Sequence, residues 1–417
     1  MNPRIKICLI LIIASCSFSF GQIDQYNYKR ELQGSPDQWN IISLPDDIFG
    51  KISQDLSDIR IYGITENNDT VEAPYLLRLS KETISNNEVT YKTINYSHND
   101  KGYYFTFEIP TTETINHIYL NFNQQNFDWH IQLAGSQNQL EWFTIIENYR
   151  ILSIKNEWTD FQFSNLTFPN SNYRYFRLYI DSKDKPELTT TRIAQYEITE
   201  GTLRNFPIEQ IQTKENKSEK LTEINVKLSL PEPISYIKIG VKDSFDYYRP
   251  ISIEYIADSF KTEQGWKYNY QTLASGTLNS FEKNIFRFNS TTLQMLRILI
   301  YNHDNQPLTI DTIQTQGYVH EIVTRITEPA KYFICYGKKN DRIPQYDIDW
   351  FTDKIPEKLT TLELGDEIAI EKKEATAITP IFENKTWLWI IMTIIILLLG
   401  WFSLKMIQKK NKTSDSE

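Results

Sequence analysis

The sequence predicts an all-β protein: tandem jelly-roll sandwiches behind an N-terminal β domain, with one helix at the C-terminal end. Three observations carry this. Short runs alternate apolar and polar residues and are rich in Ile, Tyr, Phe and Thr, as at 103–109 (YYFTFEI), 118–122 (IYLNF) and 176–180 (FRLYI). A period of two puts one face of a strand into a core. Asn, Asp and Pro turns punctuate these runs closely, and amphipathic helical stretches are hard to find between 22 and 385. Strands spaced this way build sandwiches rather than βα units. Finally, the middle of the chain repeats once at an offset near 120 residues, the length of a domain and not of a solenoid unit.

In chain order, residues 1–21 read as a secretory signal. Arg4 and Lys6 precede the apolar stretch 7–14, and small Ser19 and Gly21 stand ahead of a cut before Gln22. Ile13-Ala14-Ser15-Cys16 also fits a lipoprotein signal acylated on Cys16. Residues 22–92 form the N-terminal β domain and 93–200 the first jelly roll. The polar segment 201–220 is a linker, 221–318 the second jelly roll, and 319–385 a β extension and stalk. The copies align through INHIYL at 115–120 with ISYIKI at 234–239, and Phe127-Asp128 with Phe245-Asp246. YRYFRLYI at 173–180 matches LQMLRILI at 293–300, so Arg177 falls on Arg297. Trp142 has its counterpart in Trp266, which favours a core role for Trp142.

Residues 386–404 read as a transmembrane helix. The run 387–404 has eighteen residues without charge, roughly 27 Å of helix at 1.5 Å per residue. Trp387, Trp389 and Trp401 suit interfacial anchors, and Lys405, Lys409, Lys410 and Lys412 would keep the tail 405–417 cytoplasmic. The expectation is a single-pass inner-membrane protein with the bulk of the chain in the periplasm.

Charge and composition narrow the functions. The chain carries a net charge of −9, and its two ends are net positive, so the middle is more acidic still; nucleic acid and anionic lipid call for the opposite. Cys335 is the one cysteine beyond the signal, which excludes a disulfide framework or a cysteine metal cluster in the mature chain. It reads as a small core residue. The five histidines show no HxH or HExxH spacing, and no GxSxG elbow occurs. The chain therefore reads as no enzyme.

Binding has better candidates. Asn126-Phe127-Asp128-Trp129-His130, with Arg150 nearby, offers an aromatic face and hydrogen-bonding groups for a sugar. The second copy offers Asp246, Tyr247 and Arg249 in the same place. Core aromatics at strand ends would explain the same residues. No cofactor is expected. The turns Asp181 to Asp184 and Asn302 to Asn305 offer oxygen ligands for calcium, although turn chemistry explains such residues without a metal.

Two resemblances bear on these readings. Gly135-Ser136 through Glu141-Trp142-Phe143-Thr144-Ile145, then Phe168 and YRYFRL at 173–178, resembles the discoidin or coagulation-factor C-type jelly roll, a galactose-binding-like sandwich. The second copy keeps Gly265-Trp266 and Leu296-Arg297-Ile298. The resemblance implies a sandwich with ligand loops at one end, and no particular ligand. The whole-chain order is similar to an uncharacterised Gram-negative periplasmic family with a C-terminal membrane anchor. That order runs from WNIISLPDDIF at 39–49 through LSDIRIYG at 56–63, Ala73-Pro74-Tyr75 and the tandem sandwiches to YFICYG at 332–337. It implies a large membrane-protein partner. The signal ending SFSFGQ looks like those of the Bacteroidetes. Together these point to an anchored interaction subunit of a membrane complex, or else to a protein binding a cell-envelope glycan.

Overall fold

The computed structural model describes residues 23–372 and 385–411, apart from 111, 158 and 264. The signal segment 1–21 lies outside them. The described chain is mostly strand, and its strands form three sandwiches.

The first and last parts of the chain build one sandwich together. In one sheet, Tyr28–Gln33 pairs with Lys331–Tyr336, followed by Arg60–Ile64 and Thr70–Ala73. In the other, Trp39–Ser43 pairs with His320–Arg325, which pairs in turn with Tyr75–Leu79. Alternation places Ile42, Ile61, Tyr75, Ile322, Ile334 and Tyr336 between the layers. The segments 22–92 and 319–385, read separately from sequence, thus share both sheets of this terminal sandwich. Cys335 is fully buried beside Tyr26, Tyr62 and Phe333, and burial pushes its thiol up to about 12, which keeps it unreactive.

The two other sandwiches are inserted between those ends. In the first, the six-stranded sheet runs Asp160–Phe163, Phe143–Lys155, Phe127–Ser136, Tyr175–Asp181, Gly102–Glu108, Lys92–Asn99. Its four-stranded sheet runs Asn165–Ser171, Ile115–Phe122, Leu188–Thr199, Thr83–Glu88. Phe107, Leu133, Phe176 and Leu178 meet Ile118, Leu120, Leu166 and Ile193 across the core. The strand Thr83–Glu88, placed by sequence in the N-terminal domain, is an edge of this sandwich.

The second sandwich repeats the first apart from the edge strand Asp160–Phe163, with longer strands that serve both layers. Leu221–Val241 and Ile285–Tyr301 pair in two stretches, with a register shift between Lys227 and Glu232. Pro231 and Pro233 stand at that bend. Ahead of the bend, Leu221–Val241 pairs with Ile208–Asn216, as Gly102–Glu108 pairs with Lys92–Asn99. Beyond it, the strand pairs with Ile310–Tyr318, as Ile115–Phe122 pairs with Leu188–Thr199. The polar stretch read as a linker therefore carries two strands, Leu203–Phe206 and the largely exposed Ile208–Asn216. Register also corrects the tryptophans: Ala134 faces Thr144 as Glu254 faces Thr272, so the counterpart of Trp142 is Tyr270 and not Trp266, and with Trp142 half-buried and Trp266 59% exposed neither is core.

The C-terminal helix Lys385–Asn411 does form. Among the described residues, however, no helix is long and apolar enough to cross a membrane. Within the helix, Lys405 Nζ lies 5.0 Å over the Trp401 ring. The expected single inner-membrane span, with a periplasmic bulk, is corrected accordingly.

Candidate functional site

The residues singled out for sugar binding come together, but against one another. Arg150 projects from the first sandwich and grips Asp128 with two hydrogen bonds, Nε to Oδ1 at 2.7 Å and Nη2 to Oδ2 at 2.6 Å. Its remaining amine reaches Asp246 of the second sandwich at 2.7 Å. Those hydrogen bonds from Arg150 hold Asp128 below the usual carboxylate range, and the two carboxylates raise Arg150. Phe281 lies 5.0 Å under the guanidinium and stacks near Phe161 and Phe163. This is a junction between the inserted sandwiches.

The other candidates are packed. Trp129 is 9% exposed, stacked on Phe127 with centroids 4.0 Å apart and edge-on to Phe122. Tyr247 belongs to the second core. Arg249 is buried, donating to the Tyr248 carbonyl at 2.8 Å, and burial lowers its guanidinium. At the turns considered for calcium, Ser182 bonds the Asp184 carbonyl, Lys220 pairs with Asp304, and Asn302 bonds Thr222. Among the described residues, no three His, Cys, Asp or Glu side chains gather as for a metal.

A different site lies on the outer face of the four-stranded sheet in the first sandwich. One cross-strand row runs Glu88, Ala194, His117, Thr167; the next runs Arg192, Tyr119, Asn165. Residues two apart on a strand share a face, so Asn86 and Tyr196 join the same surface. The small Ala194 leaves a dimple of about 150 Å³ ringed by the longer side chains. Tyr196 meets His117 edge-on at 4.5 Å, and Arg192 lies 4.7 Å over the Tyr119 ring. Burial, and then the charge of Arg192, lower His117; near neutral pH the imidazole is uncharged and can both donate and accept. Arg192 has no carboxylate partner among the described residues.

Histidine spacing in the sequence does not single out His117. One signal was present: polar His117 and Tyr119 alternate with Ile118 and Leu120 on a strand already recognised. Their partners arrive from strands far away in sequence. A larger hollow of about 550 Å³ near Tyr91, Lys92 and Pro110 is crossed by the chain's own Arg174–Glu108 ion pair at 2.8 Å.

No protein-family model matches this chain, and no curated protein does. Among solved structures, it is similar to the CBM32-1 and CBM32-2 domains of Clostridium perfringens ZmpB. That likeness has 9% identity and a TM-score of 0.20, over 61% of this chain and 94% of that one. Allantoicase from Saccharomyces cerevisiae overlaps at 9% identity and TM-score 0.19, over 56% and 90%. A truncated AlyQ with CBM32 and alginate lyase domains overlaps at 8% identity and TM-score 0.20, over 63% and 98%. Likenesses of this size carry no argument about the site, which rests on the geometry above.

Proposed function

We propose that this is a non-catalytic carbohydrate-binding protein whose sugar site is the dimple over Ala194. The supporting observation is the set of side chains around that floor. A sugar presents hydroxyls, each both donor and acceptor, beside apolar C–H faces. Asn86, Asn165, Glu88, Arg192 and neutral His117 supply the polar complement, and Tyr119 and Tyr196 supply aromatic surface. Glu88 is the lone carboxylate among the eight lining residues; glycoside hydrolysis ordinarily uses two facing ones. The rival reading, an anchored subunit of a membrane complex, leaned on the membrane span, which the helix does not supply.

The full-length protein on a glycan array tests this directly. Retention of a defined set of glycans is expected, with Arg192→Ala or Tyr119→Ala weakening capture at least about tenfold, or about 1.4 kcal/mol, at an unchanged melting temperature. No glycan captured, or both variants binding as the wild type does, would remove the proposal.

A further inference from the structure

The internal repeat makes its own control experiment. Arg177 and Arg297 occupy equivalent places on the outer face of the larger sheet in the two inserted sandwiches. In the second copy, Arg297 stands opposite Glu254 in register and binds it, Nε to Oε2 at 2.7 Å, while its guanidinium lies 3.3 Å over Tyr270. That cation is covered and neutralised. In the first copy, Arg177 stands opposite Ala134, the position corresponding to Glu254. Trp142 covers it at 3.9 Å, and Tyr104 lies 5.8 Å away. Among the described residues the Arg177 guanidinium makes no hydrogen bond and no ion pair. A ring over the face of a guanidinium offsets part of its desolvation, yet leaves open the N–H edge where carboxylates bind in pairs. Burial lowers Arg177, with no carboxylate nearby to raise it.

We infer that the open edge of Arg177 binds the carboxylate of an acidic saccharide, a hexuronate unit, at a second site on the opposite layer of the first sandwich from the dimple. The surroundings favour a sugar over an acidic peptide. Gln132 and Tyr179 flank the Ala134–Arg177 pair on the same face, with Thr144 beside Ala134 and Tyr104 beside Tyr179. These are uncharged hydrogen-bonding groups around one cation, which match a ring that carries a single carboxylate among several hydroxyls.

The test is titration calorimetry on the full-length protein with three probes: trigalacturonate, neutral trigalactose and hexaglutamate. Trigalacturonate is expected to bind at least about tenfold more tightly than either other probe. Ala134→Glu, which supplies the internal counter-ion the second copy already has, should abolish that preference. Its melting temperature and its neutral-glycan profile should match the wild type. Arg177→Ala should lose the same binding. Equal affinity for both sugars, equal affinity for hexaglutamate, or trigalacturonate binding retained in both variants would overturn the inference. Because Ala134 is remote from the dimple, loss confined to the acidic probe separates this site from the one proposed above.

Discussion

At the scale of single residues, burial decides what an aromatic or a carboxylate can do. Trp129 has the composition of a sugar platform and the packing of a core plug, with Phe127 and Phe122 against it. Trp129→Ala is therefore expected to cost about 3–5 kcal/mol, read as a drop in the denaturant midpoint; an unchanged midpoint would return Trp129 to the list of ligand contacts. Glu232 is the acidic counterpart. It is 1% exposed where the second sandwich meets the turn at Asp46, and burial, with Asp46 adding to it, pushes its carboxyl up to about 7 from 4.5. A raised carboxylate adds stability that is complete below about 4.5 and is lost as pH rises through about 7, a swing of about 3 kcal/mol. Glu232→Gln stays neutral throughout. Thermal melts should show no advantage for the variant near pH 4 and a clear one near pH 8; a constant offset would contradict this.

At the scale of elements, the sequence was legible wherever one face of a strand is dry. Ile115–Phe122 and Tyr175–Asp181 show the period of two, and both were recognised together with their repeats. Thr83–Glu88 is exposed along its whole length, and Ile208–Asn216 nearly so; strands wet on both faces have no alternation to read. The dimple was hidden for a related reason, since its walls come from four strands and no local pattern links Asn86 to Arg192. The Arg150 junction was half visible: its members were named, but sequence gives no sign that Asp128 and Asp246 share one cation. All three side chains are partly exposed, so a double-mutant cycle of Arg150→Ala and Asp246→Ala should give only about 0.5–1 kcal/mol, less in high salt. A coupling near zero at low salt would mean that the Arg150–Asp246 pair does not help hold the two sandwiches together, as the rings of Phe161, Phe163 and Phe281 do.

At the scale of the whole molecule, the order of domains along the chain is not their order in space. Sequence reading divided the chain where composition changed, and composition carries no trace of which distant strands pair. The first strand joins a sheet with strands from the far end of the described β region: Arg30 Nε donates to the Tyr336 hydroxyl, 306 residues away, at 3.0 Å. A chain ending after residue 318 is expected to lose the terminal sandwich, leaving 23–79 open to limited proteolysis, while 81–318 keeps its protease-resistant core. Protection of 23–79 in that truncation would show the N-terminal strands to be self-sufficient.

That closure also sets a schedule. At about 5–20 residues per second of synthesis, the strand Tyr28–Gln33 waits roughly 15–60 s for its partner to be made. Closing so long a loop costs little extra entropy, because the penalty grows only with the logarithm of its length. The delay falls on exposure instead: Ile42, Ile61 and Tyr75 remain uncovered while both inserted sandwiches finish folding ahead of them. The strands within 28–79 are thus made before both inserted sandwiches and sheltered after them, which puts the nascent chain's uncovered apolar surface on the N-terminal side of its folded part.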